Sequence, residues 1–109
     1  MDAAKTRSFV DHAWDSSIIP ALCEYVKIPN QSPLYDKEWK AHGHMDRAVA
    51  LIATWLEERK IPGAKLEVVR LGERTPVIFV DIPGDNDDVV LLYGHLDKQP
   101  PMLPWGPGL

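Results

Sequence analysis

The chain has 109 residues, 45% hydrophobic and 26% charged, with a formal net charge of −4. That is ordinary globular composition with length for one small core, short of the two-domain architecture many hydrolases need. There is no run of four or more consecutive Lys and Arg, no apolar leader core near the N-terminus, and no apolar stretch approaching the roughly 20 residues of a bilayer span.

These absences argue against a nucleic-acid partner and against a membrane. A single cysteine, Cys23, rules out an intrachain disulfide and suits a reducing compartment, so the expected location is the cytoplasm.

Helical periodicity opens the chain. Over residues 9–27, Phe9, Val10, Ala13, Trp14, Ile18, Leu22 and Val26 recur at spacings of three and four and form one apolar stripe. Pro20 lacks an N–H, so a kink or restart is expected near residues 16–20, with Asp15, Ser16 and Ser17 as its capping residues. Pro29 ends the element, and residues 30–41 read as a loop.

A second helix is expected over residues 44–60. Its buried stripe is Ala48, Leu51, Ile52, Trp55 and Leu56, and its charged end, Glu57 to Lys60, stops at Pro62-Gly63.

After Gly63 the period changes to two. Residues 65–71 alternate with Leu66, Val68 and Leu71 apolar, and residues 76–82 form a second strand antiparallel to the first. A turn-prone link, Pro83-Gly84-Asp85-Asn86-Asp87-Asp88, leads to Val89-Val90-Leu91-Leu92-Tyr93. This nearly continuous apolar run suits a strand buried on both faces in the middle of an α/β sheet.

The expected fold is therefore α/β, with two N-terminal helices packed on a mixed sheet of about three strands. Two helices cannot cover both faces of such a sheet, so one face is expected to stay bare and to invite self-association.

The chemistry is concentrated where that last strand ends. Catalytic and ligand residues of α/β folds sit at the carboxyl ends of buried strands. His95 lies there, after Gly94, and Asp97 follows at a spacing that sends both side chains to one side of an extended chain. A carboxylate beside a metal-bound imidazole can hold its second ring nitrogen. His-x-Asp alone equally suits a polar strand-end histidine bonded to nearby backbone.

The longer string is more specific. Gly94-His95-Leu96-Asp97-Lys98-Gln99-Pro100-Pro101 after an apolar strand resembles the first metal motif of the di-zinc peptidase family. That family includes aminoacylase, glutamate carboxypeptidase and cytosolic nonspecific dipeptidase, and the Gln-Pro form is most like its dipeptidase branch. Glu24-Tyr25-Val26-Lys27-Ile28-Pro29-Asn30-Gln31-Ser32-Pro33 looks like the family's first helix and its exit, so the resemblance covers nearly all of residues 9–102.

The resemblance implies that His95 is a metal ligand and that Asp97 is the catalytic-site aspartate orienting it. It implies two zinc ions in the complete enzyme, with manganese as the alternative, and a dipeptide or small amide as substrate. A metal-bridging water would attack the amide carbonyl and a glutamate would act as general base. The family's remaining ligands lie further along its chain. No Gly-x-Asp-Asp and no Glu-Glu follow His95 here. Residues 1–102 thus read as the N-terminal part of a zinc-peptidase catalytic domain. Residues 103–109 read as an irregular Pro-rich tail, where Leu103 and Pro104 depart from the family pattern. The expectation is a truncated chain, inactive alone, that holds metal weakly or not at all.

Other candidates rank lower. His42-x-His44 approaches a helix among polar residues and reads as solvated or capping. His12 reads as a surface residue, Cys23 as a small core residue, and Trp14, Trp39 and Trp55 as packing residues. The rival function is a non-catalytic interaction or scaffold module. A weaker third option is a simple metal-binding α/β domain.

Overall fold

The computed structural model describes residues 2–108. Helix α1 runs over Ala3–Ala13, starting earlier than the apolar stripe because Asp2 caps it. The Asp2 carboxylate accepts from the backbone N–H of Ala4 at 3.0 Å and of Lys5 at 3.2 Å.

The break expected around Pro20 is present, in a different form. Trp14–Ile18 is a π-helical turn, and helix α2, Ile19–Val26, follows with Pro20 in its first turn. The Ile19 N–H reaches five residues back to the Trp14 carbonyl, so the wider turn absorbs the donor that proline lacks. The expected serine caps are therefore not used as caps. Ser16 Oγ donates back to the His12 carbonyl at 2.7 Å. Ser17 Oγ instead accepts from Trp55 Nε1 at 2.9 Å and lies 2.6 Å from Arg59 Nη1, tying this turn to the second long helix.

A short helix α3, Trp39–His42, ends at Gly43, whose φ of 67° is left-handed and suits glycine. Helix α4, His44–Glu58, starts directly after it. Its buried residues are Met45, Ala48 and Val49. Leu51, Ile52, Trp55 and Leu56, expected in the core, are only half-buried. The buried positions thus lie in the first turns of the helix, and Ile28, just past α2, is buried as well.

Strands β1, Lys65–Val69, and β2, Val77–Asp81, form a two-stranded antiparallel sheet with Leu66 opposite Val80 and Val68 opposite Ile78. These four residues are half-buried on the inward face, and β1 lies against α4. On the other face Val77 and Phe79 are left exposed.

The chain is thus a mixture of helices and a β-sheet, with two strands rather than about three and an antiparallel rather than a mixed sheet. Residues 89–93 form no strand among the described residues. Val89 is 89% exposed and Tyr93 91%. A strand buried on both faces needs a neighbour on its edge and cover above and below, and the β1–β2 hairpin supplies neither.

The same shortage shows in the whole chain. The accessible surface is 9185 Å², where a compact folded monomer of this mass exposes about 6100 Å². The radius of gyration is 17.0 Å, against about 13 Å for a compact domain of this length. The fully buried apolar set is Ile28, Met45, Ala48 and Val49. Cys23, expected in the core, is exposed, because the face of α2 that carries it meets no second layer. Among the described residues no helix is long and apolar enough to cross a membrane.

Candidate functional site

The site is built where the chain after residue 94 returns to the exit of α2. The helix closes before Pro29, and tight turns follow, with the Asn30 N–H on the Ile28 carbonyl at 2.9 Å and the Gln31 N–H on the Pro29 carbonyl at 3.0 Å. Gln31 and Lys98 pair as an isolated parallel bridge. The Lys98 N–H donates to the Asn30 carbonyl at 2.9 Å, and the Ser32 N–H donates to the Lys98 carbonyl at 3.0 Å.

Side chains reinforce the pairing. Asn30 is the one buried polar residue of the described chain, at 1% exposure. Its Nδ2 donates to the Leu96 carbonyl at 2.8 Å, and the Tyr25 hydroxyl donates to the same carbonyl. Its Oδ1 accepts from Lys98 Nζ at 2.8 Å. Lys98 Nζ also donates to the Tyr25 carbonyl at 2.6 Å and to the Ile28 carbonyl, and it lies 3.9 Å from the centre of the Tyr25 ring. An ammonium has three N–H donors, and all three are used here.

The two residues singled out from the sequence meet at this place. His95 Nδ1 lies 2.9 Å from Asp97 Oδ1 and 3.1 Å from the Asp97 carbonyl oxygen. Both oxygens can only accept, so Nδ1 carries a proton, and in the neutral ring the lone pair is then on Nε2. The His95 side chain is two-thirds exposed and that of Asp97 one-third. Asp97 is thus the more buried of the two, and much of the His95 ring meets solvent. An imidazole ligand with an orienting carboxylate has this pairing, and the contact with the Asp97 carbonyl is equally that of a polar histidine bonded to nearby backbone.

The donor set fits one ligand of a metal centre. Among the described residues no three His, Cys, Asp or Glu side chains gather to hold an ion. Glu57 and Glu58 are exposed at the end of α4.

His42 and His44 are not brought to this site. His42 Nδ1 lies 2.9 Å from Asp36 Oδ2 and is exposed, as a solvated residue should be. His44 begins α4 without capping it, and its Nδ1 is buried with no partner among the described residues. The two rings lie 5.7 Å apart, tilted by 34°. His12 is exposed, as expected.

Asn30, Lys98 and Tyr25 carry roles that sequence reasoning missed. Each lay inside a quoted string, yet a lysine directly after the aspartate expected to orient His95 reads as solvated until its acceptors are seen. They are backbone carbonyls at the end of a helix some seventy residues upstream.

Burial raises the Tyr25 phenol above its ordinary value of 10.0. The Asn30 amide partly offsets the rise, and the Asp97 carboxylate adds to it. The folded chain then holds this proton where the unfolded chain has lost it, so Tyr25 contributes a loss of stability as pH climbs above 10. An absorbance titration at the tyrosinate band, wild type minus Tyr25→Phe, should show a midpoint above 10. The midpoint should return to 10 in denaturant. A native midpoint at 10 would mean that the hydroxyl is not held against Leu96.

No protein-family model matches the chain, and no curated protein matches it.

Proposed function

We propose that this chain is the N-terminal portion of a zinc-dependent dipeptidase or related amidohydrolase, with His95 as one metal ligand and Asp97 as the residue that orients it. The observation that carries this reading is the 2.9 Å pairing of His95 Nδ1 with Asp97 Oδ1, which in the neutral ring puts the metal-binding lone pair on Nε2. The string from Gly94 to Pro101 and the helix exit from Glu24 to Pro33 support it. They are the two segments with family resemblance, and they lie against each other.

His95 would hold one of two zinc ions, with manganese as the alternative; metals so held polarise an amide carbonyl and lower the pKa of a bound water. The part played by this chain is narrower. Asp97 fixes the tautomer and the direction of His95, and the clamp around Lys98 fixes Asp97. One histidine falls short of the three protein ligands usual for catalytic zinc. Zinc should therefore bind weakly, and dipeptides should not be turned over by these residues alone. A cytoplasmic location suits the single exposed thiol of Cys23.

A zinc titration followed by histidine side-chain NMR tests the assignment. The His95 Nε2 resonance should move first, and its apparent affinity should weaken about 10- to 100-fold in Asp97→Ala, the usual cost of losing an orienting partner. Movement confined to His42 and His44 would reject it.

A second reading is favoured by the exposed apolar residues 89–93. In it the chain is a non-catalytic interaction module whose unpaired segment 89–93 receives a partner.

A further inference from the structure

We propose that Lys98 is a positioning residue: its ammonium docks on the carbonyl end of α2 and holds the His95–Asp97 segment in ligand geometry. This rests on the reading of His95 as a metal ligand and adds to it the device that presets the ligand.

The segment reaches His95 from residues 89–93, which are exposed and carry no ladder that could aim it. Its direction is therefore set from the downstream side. The chain immediately around Asp97 is pinned on both sides. Before it, the Leu96 carbonyl takes the Tyr25 hydroxyl and Asn30 Nδ2. After it, Lys98 takes part through its N–H, its carbonyl and its side chain.

The Tyr25 carbonyl lies in the last turn of α2 and the Ile28 carbonyl just past its end. The Tyr25 carbonyl already accepts from the Ile28 N–H at 3.1 Å and the Ile28 carbonyl from the Asn30 N–H at 2.9 Å, so the ammonium takes the second lone pair of each, at the negative end of the helix dipole. A cation is the group best suited to that place, and the contact is charge-assisted. The Tyr25 ring adds a cation–π face. An uncharged side chain of similar length would supply neither. Asp97 Oδ1 is then left with His95 Nδ1 as its side-chain partner, rather than with the neighbouring ammonium.

The test uses the His95 imidazole as its own reporter. Two-bond ¹H–¹⁵N spectra of the full chain, recorded where the ring is neutral, distinguish Nδ1–H from Nε2–H. The wild type should show mainly Nδ1–H. In Lys98→Met the ratio of Nδ1–H to Nε2–H should fall about tenfold, the equivalent of one charge-assisted hydrogen bond, with the far-UV helical signal kept. Lys98→Arg, which keeps a cation able to reach the carbonyls, should recover most of the ratio. Lys98→Gln, which keeps donors without charge, is the second variant in case the Met variant loses helix; its ratio should be intermediate. Lys40→Met, which removes an exposed ion pair with Glu73, should leave the ratio unchanged.

A folded Met or Gln variant with the wild-type ratio would overturn the proposal, as would a wild type dominated by Nε2–H. Zinc titration of the same samples separates the two ideas. Zinc may still choose His95 when the ratio ignores Lys98, and then the positioning role alone fails. The ratio may respond to Lys98 while zinc ignores His95, and then the metal reading fails.

Discussion

Replacing Leu92 with Asp is expected to convert an associating chain into a monomer. Leu92 is 88% exposed and sits in an apolar run that includes Leu91 at 84% and Tyr93 at 91%. Covering one such side chain stabilises a contact by about 1.5–3 kcal/mol. The backbone of residues 89–93 adds unpaired N–H and C=O groups, which makes it an open edge for a second strand. Association through this segment, together with the exposed Val77 and Phe79 of the hairpin, should therefore appear in sedimentation velocity of the wild type. Leu92→Asp removes no packed contact and places a charge where the partner would sit, so the helical content should be unchanged. A wild type that stays monomeric at every concentration would show that water alone satisfies this strand.

The second large effect is expected from Asn30→Leu, which keeps the branched shape and the number of side-chain heavy atoms and removes both hydrogen bonds. Lys98 Nζ would lose one of its acceptors and the Leu96 carbonyl one of its donors, in a place closed to water. A hydrogen bond to a charged group contributes about 1.5–3 kcal/mol, and a buried group left unpaired costs about 1–3 kcal/mol. A loss of about 2–4 kcal/mol is large against the 5–15 kcal/mol of a typical domain. It is larger still in proportion for a chain whose buried apolar set is Ile28, Met45, Ala48 and Val49. Amide exchange at Lys98 and Ser32 should accelerate first, because their N–H groups bridge the two segments. Asn86→Ala breaks only exposed contacts with Asp88 and should stay within about 0.5 kcal/mol of wild type. Equal protection in Asn30→Leu and wild type would mean that the clamp does not rest on Asn30.

The legible parts of the fold were those set by local physics. The spacing from Phe9 to Val26 marks the first helical stretch, Pro20 marks its break, and the alternation around Leu66 and Val80 marks the hairpin. The π turn at Trp14–Ile18 was not legible, since proline dictates that a bond be lost and not which geometry absorbs the loss. The misplaced strand has a different cause. Residues 89–93 have the composition of a buried strand, but burial is a property of neighbours, and no neighbouring strand is paired with them among the described residues. Exposure of Cys23 and the half-burial of Leu51 and Trp55 follow from the same missing layer.

At the site, the His95–Asp97 spacing was enough to suggest the pairing, because two residues in extended chain share a side. The clamp was not, because Lys98 meets carbonyls that sequence separation hides. Those carbonyls belong to Tyr25 and Ile28, and nothing about a carbonyl is written in the identity of its side chain.

The most direct measurement is a chimera in which residues 9–102 replace the matching N-terminal segment of a cytosolic nonspecific dipeptidase. That enzyme supplies the remaining ligands and the covering layers. The chimera should fold, bind two metal ions and hydrolyse dipeptides, and His95→Ala should abolish the turnover. A folded, metal-loaded chimera without turnover, or one whose turnover survives His95→Ala, would contradict the assignment of His95 as a metal ligand of a dipeptidase.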